Sequence, residues 1–145
     1  MRADPDRVAR LAAEWIGTPY RHQASARGQG ADCLGVVRGI YRALHGTEPR
    51  ALPPYTPHWH GEGEPLLEAA QAFLVPREAG GPDSVRPGDV LVFRMVPGQA
   101  AKHCGVLIEP GRFVHAYSGR AVVAARFSRW WRQRLAGVFS FPEVP

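Results

Sequence analysis

The chain has 145 residues, 45% of them hydrophobic and 21% charged, which suits one globular domain and argues against a disordered chain. Two cysteines are too few for a disulfide framework, and no apolar run approaches the ~20 residues of a membrane helix. A net charge of +5 invites a nucleic-acid role, but seventeen of the eighteen basic residues are Arg, Lys102 being the other, and Gly and Pro number 16 and 14, so GC-rich coding explains the bias better than selection for phosphate binding.

Arg2, Asp4, Asp6, Arg7 and Arg10 interrupt any apolar core of a secretion signal, so the expectation is synthesis in the cytoplasm without one. Residues 4–16 predict an amphipathic helix, with Asp4 as N-cap, Pro5 in the first turn and Val8, Leu11, Ala12, Trp15 and Ile16 on one stripe. Residues 17–32 lack periodicity and predict a loop. A second helix starts at Asp32 or Cys33, carries Val37, Ile40, Tyr41 and Leu44 on the face of Cys33, and closes at Gly46. The Pro- and His-rich stretch 47–63 predicts irregular chain, and 64–74 a third helix.

Strands follow after a Pro87-Gly88-Asp89 turn: Val90–Met95, His103–Ile108, Phe113–Tyr117, Ala121–Phe127 and Leu135–Phe141, with a short helical stretch at Ser128–Arg134. Helices first and strands afterwards predict a single α+β domain over 1–145, with N-terminal helices packed on a C-terminal antiparallel sheet. No glycine-rich phosphate-binding pattern supports a nucleotide cofactor, and no cofactor is expected.

Cys33 is the candidate nucleophile. In a first helical turn the backbone N–H groups lack intrahelical partners and the helix dipole is positive, and both favour a thiolate. Cys33 alone reads equally well as a core cysteine. A thiolate needs a base, and His103 and His115 flank one predicted hairpin. Side chains alternate along a strand, so an odd connection, Glu109 to Gly111, sets Gly105 opposite His115 and puts both histidines on one face. A two-residue connection would separate them. On one face, His103 can take the proton of Cys33 while His115 orients its other ring nitrogen.

The order of these pieces carries a resemblance. Gly17-Thr-Pro-Tyr-Arg21, Ala31-Asp-Cys-Leu-Gly35, Arg86-Pro-Gly-Asp-Val-Leu-Val-Phe93, His103-Cys-Gly-Val-Leu-Ile108 and Phe113-Val-His-Ala116 resemble the NlpC/P60 family of papain-like cell-wall cysteine peptidases. The resemblance implies a papain-like fold and cleavage of peptidoglycan stem peptides beside D-glutamate or diaminopimelate. It implies Cys33 as nucleophile, His103 as general base and acid, and His115 as the orienting third residue. It also implies oxyanion support from Tyr20 and the Cys33 N–H, and substrate positioning by Asp32, through a free amine, together with Tyr20 and His22. Leu34 stands where the family usually has Ser, and His22-Gln23-Ala24 where it often has Trp-Gly-Gly. The variant Thr-Pro-Tyr-Arg-His-Gln-x-Ser with Asp-Cys-Leu-Gly looks like the phage-tail and gene transfer agent branch. That branch implies tail or baseplate partners and delivery to the periplasmic wall by a particle.

Other features weigh less. His58 and His60 flank Trp59 and could join Cys104 at a metal, but three or four ligands are normally needed, and no metal is expected. Cys104 points away from His103 along the strand and reads as core. Glu62, Glu64 and Glu68 near a helix start read as solvated. Six Arg and no acid lie between Gly111 and Pro142, around Trp130 and Trp131: a docking face or a nucleic-acid patch, or, the plainer reading, Trp130 anchoring the short helix to the core among solvated arginines, with Trp131 left open. The alternative to a peptidase is a catalytically silent structural tail component of the same fold.

Overall fold

The computed structural model describes residues 2–48, 63–77 and 81–145. The first helix, α1, spans Pro5–Ala13, with the Asp4 side chain accepting from the Asp6 amide at 3.1 Å. It ends earlier than the apolar stripe suggests. Trp15 is still buried, but Ile16 is 47% exposed, because the chain leaves the helix in tight turns. Helix α2 spans Cys33–His45 and stops at Gly46, whose φ of 77° is the left-handed cap predicted for it. Gly39 permits α2 to lie against α1: a Cβ there would sit 2.0 Å from the Trp15 ring. Helix α3 spans Pro65–Phe73 and buries Leu66 and Ala70.

Between α1 and α2 the expected loop contains a minimal antiparallel pair, β1 (Ser25–Ala26) with β2 (Gly30–Ala31). Two-residue strands leave no alternation to read, which is why the sequence hides them. The main sheet has six antiparallel strands: β3 (Val75–Pro76), β4 (Val90–Phe93), β5 (His103–Glu109), β6 (Arg112–Ala116), β7 (Val122–Arg126) and β8 (Leu135–Ser140), in the order β3-β8-β4-β5-β6-β7. The last strand therefore inserts beside β4, with Val90 opposite Phe139. A one-turn helix, α4 (Arg129–Arg132), links β7 to β8.

Alternation along the strands divides the core in two. Val90, Val92, Cys104, Val106, Val114 and Ala116 face the helices. Leu91, Phe93, Leu107, Phe113 and Val138 form the opposite face, closed by Phe127 and Trp131. The turn before β4 is held by Asp89, which is fully buried, pairs with Arg77 and accepts from the Arg86 amide at 2.7 Å. Burial nonetheless pushes its carboxyl above the usual range. The segment with His58, Trp59, His60 and Glu62 lies outside the described residues.

Candidate active site

Cys33 opens α2, and the residue before it builds the opening. Asp32 is 3% exposed; its Oδ1 accepts from the Gly35 amide at 2.7 Å and its Oδ2 from the Gln23 amide at 2.7 Å. One carboxylate thus caps the helix and ties down the preceding loop. Gln23 takes a φ of 63°, a conformation costly for a side-chain-bearing residue, and the Asp32 bond holds it there. Gly35 completes the arrangement, since a Cβ would stand 1.9 Å from the Ala24 carbonyl oxygen. His22 Nδ1 lies 3.8 Å from Asp32 Oδ2. Tyr20 is bridged in parallel to Ala31, two residues before the cysteine.

The histidines come from the sheet. Val106 pairs Val114 and Leu107 pairs Phe113, and that register continues to Gly105 opposite His115. The connection corrects the sequence expectation: Glu109 pairs Arg112 across a two-residue link, Pro110-Gly111. Ile108 is left as an extra residue, and this bulge restores the parity that the short link would have reversed. His103 and His115 share the sheet face opposite the helices, and His103 Nε2 stands 2.8 Å from His115 Nδ1. The remaining nitrogen of His103, Nδ1, is left for Cys33.

Antiparallel pairing sets the end of β4, the start of β5, the end of β6 and the start of β7 along one rim of the sheet. The start of α2 meets the same rim, so Cys33 reaches His103 although the helix packs on the other face. Cys104 occupies the helix-facing side beside it. The Cys33 thiol is drawn well below its ordinary range, first by the hydrogen bond from the Cys104 S–H and then by hydrogen bonding to and the charge of His103, against the opposing effect of burial. The Cys104 thiol is pushed well up by the same bond, so it stays protonated and donates. Sequence periodicity places Cys104 in the core, where it lies; its contact with Cys33 depends on helix placement, which periodicity does not carry.

Burial holds the His115 imidazole at a pKa of about 3, with the charge of His103 adding to the effect. It is therefore neutral near pH 7. A neutral imidazole with its proton on Nε2 offers Nδ1 as the acceptor that a doubly protonated His103 requires. The Tyr20 phenol is raised by burial and by the nearby Asp32 and Cys33, so its O–H is retained as a donor.

One side chain departs from its sequence expectation. Glu64 is not merely solvated: its Oε1 accepts from the Ala101 amide at 2.8 Å and its Oε2 pairs with Arg94. These contacts pin the loop that enters β5 at His103. Leu34, next to Cys33, is 8% exposed and belongs to the core. Among the described residues no cluster of three or more His, Cys, Asp or Glu could hold a metal ion, and no helix is long and apolar enough to cross a membrane.

The NlpC/P60 family model matches residues 17–140. The chain is 27% identical over 138 residues to gamma-DL-glutamyl hydrolase of Bacillus subtilis, covering 94% of this chain and 29% of that protein. It is 26% identical over 122 residues to the probable endopeptidase NlpC of Escherichia coli, covering 83% of this chain and 68% of that protein. The chain thus spans less than a third of the Bacillus hydrolase. Among solved structures, an NlpC/P60 family protein from Bacillus cereus superposes with a TM-score of 0.66 at 19% identity, over 97% of this chain and 41% of the other. The NlpC/P60 domain of the peptidoglycan hydrolase SagA gives 0.62 at 20% identity, over 96% of this chain and all (100%) of that domain. With a family model spanning the cysteine, both histidines and nearly every strand, the chain belongs to the NlpC/P60 family.

Proposed function

We propose that the chain is a cysteine peptidase of peptidoglycan stem peptides. The observation that carries this reading is the 2.8 Å bond from His103 to a buried, neutral His115, on a rim where His103 also meets a thiol held low. Cys33 Sγ attacks the scissile carbonyl, and the oxyanion is received by the Cys33 N–H and the Tyr20 O–H. The C–N bond breaks as His103 Nδ1–H gives its proton to the leaving amine. A thioester and a neutral His103 remain. Water, deprotonated by His103, then attacks the thioester, and Cys33 leaves as thiolate with His103 again protonated. Throughout, His115 Nδ1 accepts from His103 Nε2–H and fixes the ring.

The name of the Bacillus relative supports a γ-D-glutamyl linkage as the bond cut. Asp32 acts in this reading by shaping the loop that carries Tyr20 and His22. The Thr-Pro-Tyr-Arg-His-Gln-x-Ser and Asp-Cys-Leu-Gly pieces support a place in a phage-like tail or gene transfer agent particle, acting on the periplasmic wall. Wild type and Cys33→Ser are incubated with purified sacculi and muropeptides under reducing conditions, with particle partners supplied, and products are read by mass spectrometry. New peptide fragments from wild type alone are expected. Their absence overturns the peptidase reading. Particle assembly that survives Cys33→Ser but not deletion of the chain would support the tail setting.

A further inference from the structure

We propose that Trp131 is a positioning residue of the catalytic centre, whose indole backs both imidazoles and shelters the hydrogen bond between them from water. The inference rests on the peptidase reading for its meaning, but its geometry stands apart from any substrate. Trp131 comes from α4, a single turn whose Ser128 makes no side-chain cap bond. Its anchor is the ring itself, 9% exposed, edge-on to Phe93 at 4.8 Å and to Phe113 at 5.1 Å. The same ring lies 5.6 Å from His103 at 30°, and 5.1 Å from His115 at 73°. Phe93 meets His103 and Phe113 stacks on His115 at 4.7 Å, whereas Trp131 meets both.

Two consequences follow from those angles. The indole centre lies 5.6 Å from His103, tilted by 30°, and His103 is the imidazole that carries the positive charge in the resting pair; an aromatic ring attracts a cation within about 6 Å of its centre. The perpendicular approach sets the indole on the flank of His115 beside Phe113, next to His103. Water kept from that side cannot compete for His115 Nδ1, so the His103 proton stays aimed along the 2.8 Å bond. Leu at this position would fill part of the space without supplying a face. Phe would supply a smaller face.

The test compares wild type, Trp131→Phe and Trp131→Leu. The rate of Cys33 alkylation by iodoacetate is followed against pH; this anionic reagent senses the neighbouring imidazolium and needs no substrate. Imidazole ¹⁵N spectra report the tautomer of His115, muropeptide hydrolysis reports turnover, and thermal melts report stability. In Trp131→Leu the alkaline limb of alkylation moves down by roughly half to one pH unit, and turnover falls on the order of tenfold, the scale of a desolvated cation–π contact. Trp131→Phe recovers at least half of each change. An alkylation limb and ¹⁵N spectrum unchanged in Trp131→Leu, with only the melting temperature lowered, would overturn the proposal. If Trp131→Leu does not fold, Trp131→Phe decides: a smaller shift in the same direction supports the proposal, and an unmoved limb overturns it. A wild type inert to muropeptides whose limb still moves in the Leu variant would refute the peptidase reading and leave the role of Trp131 standing.

Discussion

Gly105 offers the sharpest test of how the histidine pair is set. Replacing it with Ala adds a Cβ that would stand 2.7 Å from the Val114 carbonyl oxygen, 2.8 Å from Phe113 Cδ2 and 3.2 Å from His115 Cβ. The first two lie inside van der Waals contact, and one is backbone, so β6 must give way. Relief takes a shift of a few tenths of an ångström, directed at the strand that carries His115. Overpacking of this kind costs about 1–3 kcal/mol. For a domain of this size that is roughly 3–12 °C of melting temperature. The same shift stretches the 2.8 Å bond toward the limit of a useful hydrogen bond. Misplacement approaching 1 Å costs about a hundredfold in rate, so a loss of roughly ten- to a hundredfold in muropeptide hydrolysis is expected. Gly137→Ala serves as control: its Cβ would meet only the side chains of Leu67 and Phe139, at 3.0 Å each, on a strand without a histidine. Gly105→Ala with wild-type turnover and an unchanged pH profile would refute the argument that this glycine sets the pair.

Other expectations use the same contacts. His115 has a folded pKa of about 3 against an ordinary 6.5, so below pH 6.5 the unfolded chain binds a proton that the native state refuses. Stability from this group is complete above pH 6.5 and falls by up to about 1.4 kcal/mol per unit as pH drops toward 3. Urea melts at pH 7 and pH 5 should show a shallower loss in His115→Asn than in wild type; equal losses would contradict the burial argument. Cys104→Val removes the S–H donor to Cys33, so the acid limb of iodoacetamide alkylation should move to higher pH, with Cys104→Ser intermediate. An unmoved limb in Cys104→Val would deny Cys104 any part in holding the thiolate. Asp32→Ala deletes the cap to Gly35 and the tether to Gln23 and should cost about 1–2 kcal/mol in denaturant melts, more than Asp32→Asn.

The position of Cys33 at a helix start was legible because it rests on local chemistry. Asp32 and Cys33 follow a glycine-rich loop and precede a 3.6-residue apolar period, so the start of the helix can be read directly, whereas the Asp32 bonds to Gly35 and Gln23 cannot. The two histidines were legible only conditionally, through parity. Parity itself was not: Pro110-Gly111 makes a two-residue link, and the bulge at Ile108 that compensates for it leaves no mark in composition. Cys104 shows the same limit from the other side. Its facing was readable from alternation, but the partner across that face is a helix placed by tertiary packing. Glu64 likewise gains its partners, the Ala101 amide and Arg94, from chain far away in sequence.

The charge skew gains a structural meaning from these contacts. Of the six Arg between Gly111 and Pro142, Arg112 pairs with Glu109 and Arg132 with Asp83. Arg120 lies over Tyr117, and Arg134 over Trp130 at 3.7 Å while donating to its carbonyl at 2.7 Å. Exposed ion pairs such as these add little stability individually. What these contacts do is hold four of the six guanidiniums beside the strand ends and α4, while Arg126 and Arg129 stand exposed. The aromatic rings beneath are the more consequential feature of this stretch: Trp130 meets Trp131 edge-on at 4.9 Å, and Trp131 backs the histidines. In the basic third of the chain it is thus the buried tryptophan, not an arginine, that touches the histidine pair.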